Sequence, residues 1–81
     1  DLTMRQKELR LIITFNSTTD AMRFEKYCKQ NEIEGRLIPV PRIISASCGM
    51  CFRTSPENKD RIEGDIDKAG LSVAGVYQLV I

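Results

Sequence analysis

The chain has no histidine and no tryptophan, and its 81 residues include only three cysteines, three prolines and five glycines. Each shortage removes a class of chemistry. Without histidine, a structural zinc site loses its imidazole ligands and must be built from thiolates alone. There is no glycine-rich phosphate loop. Aromatic residues make up 6% of the chain, and the strands lack the aromatic pattern of an RNA-recognition motif. Lys+Arg number 12 against 11 Asp+Glu, leaving a net charge of +1. That balance argues against broad phosphate-backbone binding and against an anionic membrane surface as partner. A local basic cluster is compatible with the total, which does not ask for one. No apolar run approaches the ~20 residues that span a bilayer, and the start, Asp1-Leu2-Thr3-Met4-Arg5-Gln6-Lys7, has no apolar signal segment. An odd number of cysteines without a secretion signal does not read as a disulfide framework. The compartment expected is a reducing cytoplasm.

What is present suits one small domain. A chain of this length buries roughly 60–65% of its unfolded surface, so stability is modest and a dimer or partner would help. Residues 1–8 read as an N-terminal extension, with Met4 as the natural start and residues 1–3 of vector origin. Residues 9–81 read as a single domain.

Leu11, Ile13 and Phe15 alternate along residues 9–15 and predict a first strand with those three in the core. Ser17-Thr18-Thr19-Asp20 then has the capping and acidic residues of a helix start, and the helix is expected to run to about Asn31. Ala21, Phe24 and Cys28 form its apolar stripe, with Tyr27 beside them. Cys28 therefore reads as a buried, inert thiol. Gly35 ends the helical pattern, and Arg36-Leu37-Ile38-Pro39-Val40 predicts an edge strand because Pro39 lacks a ladder N–H. Residues 50–54 predict a third strand. Ser55-Pro56-Glu57 opens a second helix with the stripe Ile62, Ile66 and Ala69, stopped by Gly70. A last strand lies within residues 71–81, with Gly75 marking a bend or close approach and Tyr77 in the core, as Phe52 is. The order β-α-β-β-α-β is that of the ferredoxin-like α+β fold: a four-stranded antiparallel sheet with two helices on one face. The other face is expected to stay open and to favour dimer or partner docking.

The chemistry concentrates in Ser45-Ala46-Ser47-Cys48-Gly49-Met50-Cys51-Phe52-Arg53. A cysteine acts as nucleophile or ligand only as thiolate, which needs nearby positive charge or N–H donors. Gly49 allows a tight turn that aims backbone amides at Cys48. Arg42 and Arg53 are candidate thiolate partners, and Ser45 and Ser47 candidate hydroxyl donors. Cys48 is expected to be exposed and Cys51 to lie in the strand. A Cys48–Cys51 disulfide requires a turn at Gly49-Met50, and this pair precedes a strand rather than opening a helix as in thioredoxin-type sites. Alternatives stay open: Cys48 and Cys51 as small packing residues, Arg42 and Arg53 as solvated charges, or a metal pair lacking two ligands.

Ile12-Ile13-Thr14-Phe15, Ser17-Thr18-Thr19-Asp20-Ala21, Leu37-Ile38-Pro39-Val40-Pro41-Arg42 with Ile44-Ser45, Ser47-Cys48-Gly49 and Gly75-Val76-Tyr77 together carry a resemblance. They are similar to the selenium/sulfur carrier-like domain family of small bacterial proteins. Similar domains are fused to sulfur-relay-type domains in proteins linked to selenium metabolism. The resemblance spans residues 9–77, and its most specific part is Pro41-Arg42, Ser45 and Ser47-Cys48-Gly49. It implies a carrier rather than a turnover enzyme. Cys48 would hold sulfur or selenium as a persulfide-type adduct, the only cofactor-like group implied, with donor and acceptor proteins as partners. Cys51 would resolve the adduct or carry a second one. Two readings from other classes compete: a non-catalytic, dimerising binding or regulatory module, and a cysteine-based metal-binding module. Neither nucleic acid nor membrane is expected as partner.

Overall fold

Strand β1 (Leu9–Thr14) follows the apolar alternation, and Leu11, Ile13 and the adjoining Phe15 are fully buried. The structure, a computed structural model, describes residues 8–44 and 49–81. Helix α1 (Thr18–Gln30) begins where the sequence puts its cap. The Ser17 hydroxyl accepts a hydrogen bond from the Asp20 N–H at 3.2 Å, satisfying one of the donors that a helix start leaves over. At its other end Asn31 closes the helix, and the Arg61 guanidinium donates to the Asn31 carbonyl at 2.7 Å. Strand β2 (Arg36–Pro39), strand β3 (Met50–Thr54), helix α2 (Lys59–Ala69) and strand β4 (Gly75–Val80) complete the order β-α-β-β-α-β.

The sheet runs β2-β3-β1-β4, every neighbouring pair antiparallel. Strands β1 and β2 both oppose β3, so they share a direction and α1 is their crossover. Strands β3 and β4 both oppose β1, and α2 crosses between them. Two interleaved βαβ units result, consistent with the ferredoxin-like fold. Pro39 ends the edge strand β2, where a missing N–H costs the ladder least.

The main core joins Leu11, Ile13 and Phe52 of the sheet to Ala21, Phe24 and Cys28 of α1 and Ile62 of α2. Both helices thus cover one face. The Leu, Ile and Phe side chains among them contribute about 1.5–3 kcal/mol each by burial.

The opposite face is less open than its sequence suggests. Ile12, between Leu11 and Ile13, points to that side and packs with Cys51 and with Ile44 of the β2–β3 connection. Val40 and Ile38 are partly buried beside them. The start of the connection, residues 40–44, therefore folds back against the middle of the sheet, because Ile44 buries apolar surface there that water would otherwise cover.

Three smaller differences have local causes. Helix α2 starts at Lys59, after a 3-10 turn at Pro56–Asn58. Ser55 provides no side-chain cap, and the Asn58 N–H closes the tighter turn on the Ser55 carbonyl at 3.1 Å. Ala69 is exposed, since α2 reaches the core through Ile62 and Ile66. Tyr77 is 42% exposed rather than core. It pairs with Ile12 across β1 and β4, which places it on the helix-free face of an outer strand.

Candidate functional site

The connection bearing the cysteines leaves β2 and enters β3 at a single hydrogen bond. The Val40 N–H donates to the Gly49 carbonyl at 3.0 Å, so the chain departs and returns at one corner of the sheet. Pro41 opens a turn closed by the Ile44 N–H on the Pro41 carbonyl at 3.0 Å. Arg42 sits in that turn, exposed, while Ile44 anchors it against Ile12 and Cys51. Gly49 has φ +75°, a left-handed conformation that glycine adopts without the steric penalty of a Cβ. Ser45, Ser47 and Cys48 lie outside the described residues, as does any geometry of the Cys48–Cys51 pair.

Cys51 is fully buried in β3. Its sulfur lies 4.0 Å from the Pro39 carbonyl oxygen across the β2–β3 ladder, a long S–H···O contact. Ile12 and Ile44 cover it. The Cys51 side chain is thus withdrawn from the surface.

Arg53 follows Cys51 by two residues on the same face of β3 and is half-buried. It lies at the far end of the strand from Gly49, about 13 Å away along the backbone rise. The structure thus brings Gly49, Arg42 and the cover of Cys51 to one corner and places Arg53 at the other. There Arg53 meets Arg36 of β2 in direct register and shares a cleft of about 300 Å³ with Arg10 of β1. Sequence reasoning missed Arg10, Arg36 and Ile44. Strand parity alone would have put Arg10 beside Ile12 and Arg36 beside Ile38, yet only the strand order makes them neighbours.

Cys28 is the second buried thiol. Burial pushes it from the ordinary value of 9.0 up to about 12, Asp65 adding to the rise and Arg61 opposing it. A thiol so placed stays protonated at neutral pH and is a packing group, as its position on the α1 stripe predicts. Its folded-state pKa lies above the unfolded one, so its contribution is complete below pH 9 and is lost as pH climbs toward 12. Cys28→Ala is expected to cost about 1 kcal/mol at pH 7. Above pH 9 the gap should shrink by up to about 1.4 kcal/mol per pH unit and change sign before pH 10.5, since only the wild-type unfolded state gains an ionised thiol. Urea unfolding of both proteins between pH 7 and pH 10.5 checks this. A gap constant across that range would contradict it.

Among the described residues, no group of three or more His, Cys, Asp or Glu side chains comes together to hold a metal ion. Among them too, no helix is long and apolar enough to cross a membrane.

Comparison with known proteins returned no match among curated proteins and none among solved structures. A family model described as "Putative Se/S carrier protein-like" matches residues 10–78. That match runs from β1 into β4 and takes in the whole β2–β3 connection with Ser47-Cys48-Gly49. The chain belongs to the Se/S carrier-like family.

Proposed function

We propose that this protein is a chalcogen carrier that holds sulfur or selenium on Cys48 and delivers it to an acceptor protein in a reducing, cytoplasmic setting. The observation that carries the reading is the family match across residues 10–78, which includes Cys48. Geometry supports it from the flanks. The connection is pinned at both ends by the Val40–Gly49 hydrogen bond, and Gly49 holds the left-handed turn next to the cysteine. Arg42 is exposed on the same connection, where its charge favours a thiolate.

In the loading step the Cys48 thiolate attacks the terminal sulfur of a donor's persulfide. An S–S bond forms at Cys48, the donor's S–S bond breaks, and the donor leaves as a thiolate that takes up the proton. Selenium would travel the same way as a selenosulfide. Delivery repeats the exchange with the acceptor thiol as attacking group, so no net oxidant is required. In this reading Cys51 packs beneath the connection and takes no part in loading, its sulfur covered by Ile12 and Ile44.

Intact mass with site mapping tests this on protein purified from cells without added reductant. A reducible gain of one sulfur or selenium atom on Cys48 is expected. Cys48→Ser should abolish it with the circular dichroism spectrum unchanged, while Cys51→Ala should keep it. An unmodified Cys48 that alkylates no faster than free cysteine at neutral pH would end the carrier reading.

A further inference from the structure

The helix-free face of the sheet carries three guanidinium groups on three adjacent strands. Arg36 of β2 and Arg53 of β3 stand directly opposite each other in the ladder. Directly paired side chains have Cβ atoms roughly 4.5–5.5 Å apart, and like charges in that position repel. Arg53 also pairs with Ile12 of β1, so Arg10, two residues before Ile12, is its diagonal neighbour. All three line the same cleft of about 300 Å³. Among the described residues lining it, Glu34 is the one acidic side chain beside the three arginines.

The partners of Arg10 leave an opening. Its ion pair with Glu8 is long, at 3.7 Å, and the Glu8 side chain is mostly solvent-exposed. The Arg10 Nε is withdrawn from water without a hydrogen-bond acceptor among the described residues. A buried N–H without an acceptor is destabilising, and a guanidinium more so than a neutral donor. Ser55 also borders the cleft, and its hydroxyl is not used to cap the turn that follows. Below, the cleft is braced. The Thr54 hydroxyl donates to the Glu34 carbonyl and accepts from the Asn58 side chain at 2.9 Å, tying the end of β3 to the entry of β2.

We propose that Arg10, Arg36 and Arg53 form a binding site for a phosphate-type oxyanion. A bound dianion would be shared by the arginines that line the cleft and bring acceptor oxygens to its Arg10 side. Guanidinium forks converging from three strands suit a tetrahedral group with three or four oxygens better than a planar carboxylate, which two forks already saturate. The net charge of +1 places this cluster against a nearly neutral background, so the ligand is a discrete phosphoryl group rather than a polyanion. The site is independent of the Cys48 reading and stands whichever way that test falls.

Titration of the whole protein with inorganic phosphate and, separately, O-phosphoserine at constant ionic strength tests the site, read by amide chemical shifts. Saturable shifts centred on residues 10, 36 and 53 are expected. Arg36→Gln and Arg10→Gln should each raise the dissociation constant by about tenfold or more, and Lys29→Gln on the exposed surface of α1 should not change it. Tighter binding of O-phosphoserine would assign the site to phosphomonoesters, and equal binding to the free anion. Acetate binding as tightly as phosphate would overturn the phosphoryl assignment. Unsaturable shifts, or shifts indifferent to both arginine variants, would overturn the site itself. Using two variants keeps the result readable if one of them fails to fold.

Discussion

Phe24→Ala is expected to remove about 4 kcal/mol of stability, near the whole of what a domain this size holds. Phe24 is fully buried and sits between two other rings, 5.3 Å from Phe15 and 5.2 Å from Phe52 by centroid. Both pairs are tilted, at 56° and 62°, which sets the positive edge of one ring toward the negative face of the next. Truncation at the centre of this row leaves a cavity bordered by both partners and by Cys28 of the same helix stripe. Helix α1 has no other aromatic in the main core's buried set, so its attachment to β1 and β3 depends on this ring. Urea unfolding by far-ultraviolet circular dichroism measures the loss. Phe24→Leu, which keeps most of the volume, should lose less than half as much. A loss below about 2 kcal/mol for the alanine variant would mean that the helix re-docks and that the ring row is not the centre of the core.

Gly35→Ala should be nearly as damaging, about 3 kcal/mol, for a backbone reason. Gly35 has φ +155°, a region that residues with a Cβ rarely adopt. A Cβ there would lie 2.5 Å from two carbons of the Phe52 ring and 2.7 Å from the Arg53 carbonyl oxygen. The ring is held by Phe24 and the carbonyl by the ladder, so neither can give way cheaply. Gly64→Ala is the matched control. Its added Cβ meets nothing within 4 Å in an exposed part of α2, and alanine there should stabilise by up to about 1 kcal/mol. The same unfolding experiment reads both. Equal effects at the two positions would show that the Gly35 backbone relaxes and that the close approach to Phe52 is not a constraint.

These two sites separate what is readable in one dimension from what is not. Phe24 announces itself: Ala21, Phe24 and Cys28 recur at helical spacing after a capping serine, and the structure buries all three. Gly35 reads in the sequence only as an interruption between helix and strand. Its conflict with Phe52 exists because β2 and β3 pair with Leu37 opposite Phe52, which brings the entry of β2 over the ring. The cysteine stretch divides the same way. Gly49 as a turn residue and Cys51 as a strand residue follow from local pattern. The cover of Cys51 by Ile44 does not, because Ile44 lies beyond a turn whose direction local sequence leaves undecided.

By itself, the sequence determined the elements, their order, the helix-facing core and the family, since each depends on short-range period, capping or motif spacing. Tertiary structure decided which residues share the second face: the closure of Ile44 over Ile12 and Cys51, the exposure of Tyr77, and the gathering of Arg10, Arg36 and Arg53. The reason is register. Side chains alternate with a period of two along each strand, and a slip of one residue between strands would send every one of these groups to the opposite face. Only the burial of the whole core selects the alignment that brings them together.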